Sequence, residues 1–552
     1  MPRPVVPLVS SSIGCKHAEV GGVGMTRGTL IGPVLSIAFV GGAFAADLPV
    51  KAKAIEHVRI CSAYGAGFYY LPGTDTCMKI GGLVRVDTAL NAFVYDQPAW
   101  SGDLGQQNRY RDYFTTRSRM SLTVDTRTVT EYGVVRTFGQ GDFQFTTFGY
   151  TTVNPNSVTT NGSAPLANLL DTPGGGYVAV PVIFLQFAGF TFGKSASAYA
   201  TPWHGYPGND TSYLLGGHDS VTGVNNIKYT AEFGSGVTAA IGLDDPTVFN
   251  RTSVQNLASA ASAVGAGSYA YAGVRAPDMV GNIRIDQAWG LFQISAAAHE
   301  VSGSYNNVGV GVPTALSEIS GHPDSKWGGS VMAALQIKNI PTGPQDTFRI
   351  DTTYAKGDTK NVISTSALSP SFAMFGSTSR PGAYRSVGFG QTTDAVYLAA
   401  GLAAGGSGVA GPGGTGDLKL VEAWGIRGAF NHNWNASWST SLFGSYSVVR
   451  YGGASNDVGT GKGQWCAAYG RGKVVSADYR CDPDFDVAQL GIVTRWNPVK
   501  NMTISVEVMW FHLDQKFTGA ATLTPSAPQP TAVYAFNDQN TVSLNVRVQR
   551  NF

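Results

Sequence analysis

The chain has 552 residues, of which 70 are glycine, and charged residues make up only 13% of it, about half the share of an average soluble domain. Hydrophobic residues reach 43%, yet after residue 45 no run approaches the roughly 18 consecutive apolar residues of a membrane helix. These values exclude an ordinary water-soluble surface and a helical membrane protein. Two all-β classes remain, a secreted β-solenoid and a closed membrane barrel.

The N-terminal region contains a segment that is typical of a secretory signal peptide. An apolar run, Leu30–Val40, is followed by Ala43-Phe44-Ala45, which has the small-residue pattern of a cleavage site. Because a signal peptide begins a chain, we interpret residues 1–24 as an over-long start and residues 25–45 as the signal. A lone membrane helix is the alternative. The predicted mature protein is one barrel domain, residues 46–552.

The charge of the predicted mature chain is close to balanced. Removal of residues 1–45 takes away three basic residues and one acidic residue, which leaves 35 of each. Nucleic-acid-binding proteins carry a basic surface. The balance therefore argues against a nucleic-acid partner.

Four of the five cysteines form two close pairs in the sequence, Cys61 with Cys77 and Cys466 with Cys481. In an oxidising compartment local pairing is the simplest expectation, and each bridge would stabilise the fold by about 3 kcal/mol. Four cysteines permit three connectivities, and four free thiols are a further alternative. No Cys-x-x-Cys spacing occurs and the histidines are scattered, so we expect neither a metal site nor a cofactor.

Segments of about ten residues alternate between apolar and polar side chains, which indicates strands long enough to cross a bilayer when tilted. The terminal segment Thr541–Phe552 alternates almost throughout, and similar segments begin near residues 78, 117, 348 and 502. A soluble β-sandwich would alternate too. Tryptophans near the strand ends favour the membrane barrel, because they match aromatic girdles at the lipid boundary: Trp289, Trp424, Trp438, Trp496 and Trp510.

The connections alternate between tight turns and long irregular stretches, as in outer-membrane barrels with long extracellular loops. The predicted long loops include Lys194–Gly223, Lys360–Gly388 and Gly401–Gly416. The glycine-rich third one could also be a flexible linker between domains. We favour a loop, since alternation resumes at Leu418.

Several segments, in order along nearly the whole mature chain, resemble the outer-membrane porins of alphaproteobacteria, a family of trimeric general-diffusion channels known from Brucella and Rhizobium. The similar segments are CSAYGAGFYYLPGTDTCMKIGGLVRVD from Cys61, SRMSLTVDTRTVTEYGVVRTF from Ser118, FLQFAGFTFGKS from Phe184, PDMVGNIRIDQAWG from Pro277, RWNPVKNMTISVEV from Arg495, and the terminal VQRNF. The resemblance implies an all-β transmembrane antiparallel barrel of about 16 strands that assembles as a homotrimer. It also implies that Phe552 is the C-terminal aromatic residue read by the barrel-assembly machinery.

In that family the loop after the GFTFG strand folds into the pore, and by position this loop is Lys194–Gly223. The residues after GFTFG differ from the family's usual aromatic stretch, so the resemblance does not fix the pore diameter. Asp210 and Asp219 are the acidic candidates for the constriction.

Five arginines lie on the polar face of the early predicted strands and are the basic candidates for the constriction: Arg85, Arg117, Arg119, Arg127 and Arg136. A basic wall opposite acidic loop residues would set a field across the path of a solute. The alternative is that these arginines pair with Asp87, Asp125 and Glu131 and brace the barrel wall.

The sequence contains no catalytic constellation. His218-Asp219-Ser220 has the residue types of a hydrolase triad, but three adjacent residues do not generally converge. We therefore expect a passive water-filled channel for ions and small hydrophilic solutes, set among outer-membrane lipid and lipopolysaccharide. A substrate-selective channel, an adhesin or receptor barrel that uses its long loops, and an outer-membrane hydrolase are the alternatives.

The first testable prediction is that the mature chain begins at Ala46. N-terminal sequencing of the protein from outer-membrane fractions should return Ala-Asp-Leu-Pro. A chain that begins at Met1 or Met25 would contradict the signal-peptide interpretation.

Overall fold

Sixteen antiparallel strands of the described residues pair in chain order, and the last strand pairs with the first. In this computed structural model the described residues are 59–92, 113–146, 177–209, 214–219, 222–247, 251–259, 261–306, 318–363, 371–400, 413–525 and 528–552. The strands are β1 (Cys77–Leu90), β2 (Phe114–Thr130), β3 (Gly133–Thr146), β4 (Tyr177–Phe187), β5 (Phe190–Ser195), β6 (Val224–Gly234), β7 (Val237–Asp244), β8 (Asp278–Gln287), β9 (Gly290–Val301), β10 (Lys326–Ile340), β11 (Asp346–Lys356), β12 (Glu422–Asn433), β13 (Trp438–Arg450), β14 (Phe485–Trp496), β15 (Met502–Gln515) and β16 (Gln539–Asn551). Strand β16 closes the barrel on β1, with a register that runs from Leu83 opposite Asn551 to Leu90 opposite Leu544. The prediction of a 16-stranded barrel is confirmed.

The period-two alternation in the sequence separates the two faces of the barrel. On β1, Ile80, Val84 and Val86 are 43–50% exposed and point outward, whereas Asp87 is buried inside. Strands that meet lipid on one side and a polar interior on the other show this pattern. The side-chain faces were thus predictable from the sequence.

Exposed tryptophans lie near both ends of the barrel. Trp438 and Trp496 are neighbours on β13 and β14 beside the tight turns, with ring centres 5.8 Å apart. Trp424 and Trp510 lie near the opposite ends of their strands, toward the long loops. Their amphipathic rings suit the two lipid–water boundaries.

The seven connections at one end of the barrel are turns of two to five residues. In the turn between β6 and β7, Ser235 and Gly236 have φ values of 49° and 74°, the left-handed conformation of a type I′ hairpin. A Cβ at Gly236 would lie 2.0 Å from the carbonyl oxygen of Asp286 on the neighbouring strand. Only glycine fits this position.

The eight connections at the other end have 23 to 65 residues. The predicted loops Lys360–Gly388 and Gly401–Gly416 belong to a single connection, residues 357–421, because the next barrel strand begins at Glu422 rather than at Leu418. Residues 91–113 form a further long connection that the sequence analysis did not identify. The alternation that resumes at Leu418 belongs to the short strand Lys419–Leu420, which pairs with the loop strand Ala395–Tyr397 and not with the barrel.

The long loops carry their own secondary structure. One small sheet contains Val254–Asn256, Ser268–Tyr269, Ala395–Tyr397 and Lys419–Leu420; a second contains Ser371–Gly376, Arg385–Gln391, Ala520–Leu523 and Ala532–Phe536; the remaining elements are the strand Tyr69–Tyr70, helix α1 (Gly461–Gly470) and the 3₁₀ turns Ser62–Tyr64 and Thr359–Asn361. Trp465 of α1, Phe389 and Phe517 are buried together in the loop core. No helix among the described residues is long and apolar enough to cross a membrane.

Both predicted disulfides are present. Cys61 is bonded to Cys77 at the start of β1, with a Cα–Cα distance of 6.0 Å. Cys466 on α1 is bonded to Cys481, with a Cα–Cα distance of 5.8 Å. The local pairing is confirmed. The predicted signal peptide, residues 25–45, and the segment before it lie outside the described residues.

We predict that Gly236→Ala destabilises the barrel. A side chain at a left-handed position costs about 1–2 kcal/mol, and the contact with the Asp286 carbonyl adds to this cost. The apparent unfolding temperature, measured by the gel shift between folded and unfolded barrel, should fall. Gly139→Ala is the control, since a Cβ there meets nothing within 4 Å. Equal unfolding temperatures for both variants would contradict the prediction.

Candidate functional site

The described parts of the third long loop, residues 196–209, 214–219 and 222–223, lie inside the barrel, as predicted. The loop leaves β5 and first contacts β6, where Lys228 Nζ donates to the carbonyl of Ala196. It then contacts β8 and β9, where Asn282 Nδ2 donates to the carbonyl of Ala198 and Gln293 Nε2 donates to the carbonyl of Ala200. Both wall residues are on the face opposite the exposed apolar side chains. That face is therefore the lumenal one.

A buried charge cluster fastens the middle of the third loop to β11 and β12. Arg427 and Asp351 are both inaccessible to solvent, and Arg427 Nε donates to an Asp351 carboxylate oxygen at 3.1 Å. The Tyr206 hydroxyl of the loop donates to the same carboxylate. Arg427 also donates to the carbonyl of Leu214 at 3.3 Å and to that of His218 at 3.1 Å. One arginine therefore binds two parts of the loop.

Close backbone approach is required at the same place. A Cβ at Gly217 would lie 2.4 Å from the Asp351 carboxylate and 2.9 Å from the Arg427 guanidinium.

His218 is next in the chain, and burial, together with the positive charges of Lys360 and Arg427, lowers its pKa to about 3. His218 is thus neutral at neutral pH. The packing of the loop should weaken as the pH falls from about 6.5 toward 3, because the displaced loop takes up a proton first.

Asn209 anchors the far end of the described loop to β15 and β16. Its backbone N–H donates to the Glu507 carboxylate, and its side-chain amide donates to Asn545 Oδ1 at 2.9 Å. The Ser505 hydroxyl donates to Asn209 Oδ1 at 2.7 Å. On the returning segment, the Leu215 N–H donates to Gln489 Oε1 on β14 at 2.7 Å. The described part of the loop therefore contacts the wall from β6 to β16.

The predicted basic wall lies on β1–β3, across the barrel from β9–β11 in strand order. Its centre is Asp87, which is inaccessible to solvent. Arg117 and Arg547 each donate to this carboxylate at 2.6 Å. Arg85 donates to Gln549 Oε1 at 2.8 Å and has no carboxylate partner within 4 Å among the described residues.

A second group of the same wall surrounds Asp125. Arg127 and Arg136 each reach this carboxylate at 3.0 Å. Arg119 pairs with Asp142 on β3 at 3.2 Å. Four of the five predicted arginines are thus paired with aspartates, as in the alternative in which they brace the barrel wall. All of these side chains lie on the lumenal face. The predicted partner Glu131 lies in the tight turn after β2.

The acidic candidates of the loop are placed differently. Asp219 lies 3.4 Å from Arg427 Nη1 and is buried, so it belongs to the cluster on β12. Asp210 lies outside the described residues. Sequence reasoning missed Arg427, Asp351 and Asp142. Their positions in the alternating pattern predicted that they face the lumen. The neighbouring sequence did not indicate that they contact the loop or the wall.

The family of the chain follows from a match between most of its length and a protein-family model. The family model described as the porin subfamily matches residues 47–545. The chain belongs to this subfamily. Membership and the closed 16-stranded barrel place it in the outer membrane, as a multi-pass β-barrel.

Two curated relatives agree with the resemblance drawn from the sequence. Porin Omp2b of Brucella suis biovar 1 is 28% identical over 269 residues, which cover 48% of this chain and 63% of that protein. Porin Omp2a of Brucella canis is 30% identical over 229 residues, which cover 40% of this chain and 55% of that protein. The chain thus spans less than two thirds of the length of either relative.

A solved structure shows a similar fold. The outer membrane channel DcaP of Acinetobacter baumannii superimposes with a TM-score of 0.51 and covers 88% of this chain and 99% of its own. The sequence identity is 14%. This likeness concerns the fold alone.

We predict that Arg427→Met releases the third loop. The substitution leaves Asp351 buried without its cation, which costs about 3–5 kcal/mol. Limited proteolysis of the folded porin should then cleave within residues 196–223, and single-channel currents should become noisier.

Arg275→Met is the matched control. Arg275 pairs with Glu300 at 2.6 Å but is 64% exposed, and an exposed pair contributes only about 0–1 kcal/mol. A protected loop and a quiet current in the Arg427 variant would show that the cluster does not hold the loop.

Proposed function

We propose that the chain forms a passive, water-filled channel for ions and small hydrophilic solutes. The observation that supports this proposal is the division of the lumen, by which we mean that the third loop and the charged wall occupy different parts of the barrel interior. The described parts of the third loop are hydrogen-bonded to β4, β6, β8, β9, β11, β12, β14, β15 and β16, whereas the charged wall lies on β1–β3. A solute path between the loop and that wall requires no moving part.

The charged wall supports a preference for anions. Six arginines, the five predicted ones and Arg547, lie beside three aspartates, Asp87, Asp125 and Asp142. This patch therefore has a net positive charge. A positive lumenal wall lowers the barrier for anions and raises it for cations. The narrowest point of the pore, in this proposal, lies between the third loop and this wall.

The wall arginines have two roles in this scheme. Their ion pairs tie β1, β2, β3 and β16 together on the inside, which holds the barrel section rigid. Their guanidinium groups also face the solute path, because they share the lumenal face with the third loop. Bracing and selection are compatible, since a paired arginine still presents its remaining N–H groups.

We further propose that the mature protein is residues 46–552, that it assembles as a homotrimer among outer-membrane lipid and lipopolysaccharide, and that the barrel-assembly machinery reads Phe552. Phe552 is 60% exposed, and its backbone pairs with Gly82 on β1 through two hydrogen bonds of 3.0 and 3.2 Å. An exposed terminal ring at the closing seam is accessible to an assembly factor. The proposal assigns the chain no catalytic activity and no cofactor.

We predict that Arg85→Gln shifts ion selectivity toward cations. Removal of one charge about 6 Å from the ion path, in water, should change the permeability of each ion about threefold in opposite directions, and so the anion-to-cation ratio about tenfold. Reversal potentials in a planar bilayer under a KCl gradient measure this ratio. The shift should shrink in 1 M salt, where the screening length is about 3 Å.

Arg119→Gln with Arg127→Gln should act in the same direction and more strongly, since two positive charges are removed and Asp142 loses its arginine partner. Arg275→Gln, outside the barrel wall, should leave the ratio unchanged. Unaltered reversal potentials in both lumenal variants at low salt would place the constriction elsewhere. A barrel that served only as an adhesin or receptor would carry no such current.

A further inference from the structure

A polar pocket of about 410 Å³ lies between Pro207 of the third loop and the lumenal face of β11–β14. Its floor is the lumenal face of β11–β14 near the tight turns, and Pro207 of the third loop forms part of its lining. Neither the selectivity of the proposed wall nor the anchoring of the loop uses this pocket. Its chemistry therefore needs a separate explanation.

Two arginines line the pocket without acidic partners. Among the described residues no carboxylate oxygen lies within 4 Å of the guanidinium of Arg349 or Arg495. Arg349 Nε is buried and has no hydrogen-bond acceptor, and Arg495 donates to Ser441 Oγ at 2.9 Å. The nearby Glu507 carboxylate accepts the Asn209 N–H of the third loop. A buried, unpaired guanidinium N–H is costly unless a ligand accepts its hydrogen bond.

The other lining groups complete a polar site. Side-chain amides of Gln345, Asn431 and Asn433 and the hydroxyl of Ser439 line the pocket beside the arginines. Such groups both donate and accept hydrogen bonds. A hydrated anion can exchange its water for these donors when it enters.

The third loop covers the pocket and stiffens one arginine. Arg349 Cζ lies 6.0 Å from the centre of the Trp203 ring, a cation–π distance. The loop is itself held by the Arg427 cluster. Trp203 therefore limits the movement of Arg349, and Ser441 that of Arg495, before a ligand arrives, which lowers the entropic cost of binding.

We propose that this pocket is a binding subsite for small dicarboxylates on the route through the lumen. Each guanidinium can hold one carboxylate through two N–H groups, and the volume admits a short dianion together with water. The route to the pocket rests on the proposed channel function, whereas binding itself does not. A solute held here would be retained beneath the loop on the side of the tight turns.

The test is isothermal titration of the purified full-length porin with succinate in low-salt buffer. Saturable binding of one succinate per chain is expected. Succinamide, which has the same length and no charge, should not bind. Arg349→Gln and Arg495→Gln should each weaken succinate binding at least tenfold, and the double variant should abolish it. Arg284→Gln is the matched control, since Arg284 is a lumenal arginine paired with Asp286 at 2.8 Å outside the pocket.

Equal losses in the Arg284 variant and the pocket variants would overturn the proposal, because they would indicate a general charge effect. Absence of saturable succinate binding would also overturn it. Bilayer conductance in KCl, measured on the same preparations, separates the two proposals. Normal conductance without succinate binding would refute the subsite alone, whereas saturable binding without conductance would refute the channel alone.

Discussion

The closure of the sheet is the constraint on which the rest of the molecule depends. In hydrocarbon every backbone N–H and C=O needs an internal partner, and a sheet meets this need only when it has no free edge. Here β16 pairs with β1 over Leu83–Leu90, and the terminal Phe552 extends the pairing to Gly82. Closure fixes which face is inside and so brings side chains from distant parts of the chain into one lumen.

Inside that lumen, buried charge determines the path of the third loop. Arg427 and Asp351 lie on the neighbouring strands β12 and β11, where their pairing is tolerable because each also binds loop groups. A buried ion pair adds little net stability compared with apolar packing, but loss of one partner is costly. The cluster thus specifies one position of the loop more than it stabilises the barrel, and the division of the lumen follows from that position.

The two sides of the lumen treat their arginines differently. On the wall of β1–β3, aspartates neutralise half of the positive charge and hold the guanidinium groups in a fixed array. Beneath the loop, neither Arg349 nor Arg495 has a described carboxylate oxygen within 4 Å. A braced array gives a diffuse field along a path, whereas two arginines without an ion pair in a pocket would give a local affinity. In the proposals made above, one barrel thus combines a selective route with a binding site.

The sequence by itself determined the strands, their inner and outer faces, the aromatic girdles, the two disulfides and the identity of the inserted loop. The first four depend on local spacing, since side chains alternate with period two and paired cysteines lie close in the chain. The inserted loop was identified from the resemblance of the strand that precedes it. It did not determine where the loop docks: Tyr206 and Asp351, and Asn209 and Asn545, are far apart in sequence and meet only because the barrel closes.

The tertiary structure also decided where the lumen is apolar. On β15 the inward residues change from Ser505 and Glu507 to Met509, Phe511 and Leu513, which breaks the expected polar face. Loop residues cover them, and the Phe372 ring lies 5.8 Å from that of Phe511. Alternation predicts which side a residue faces, but only packing decides whether that side is filled by water or by another part of the chain.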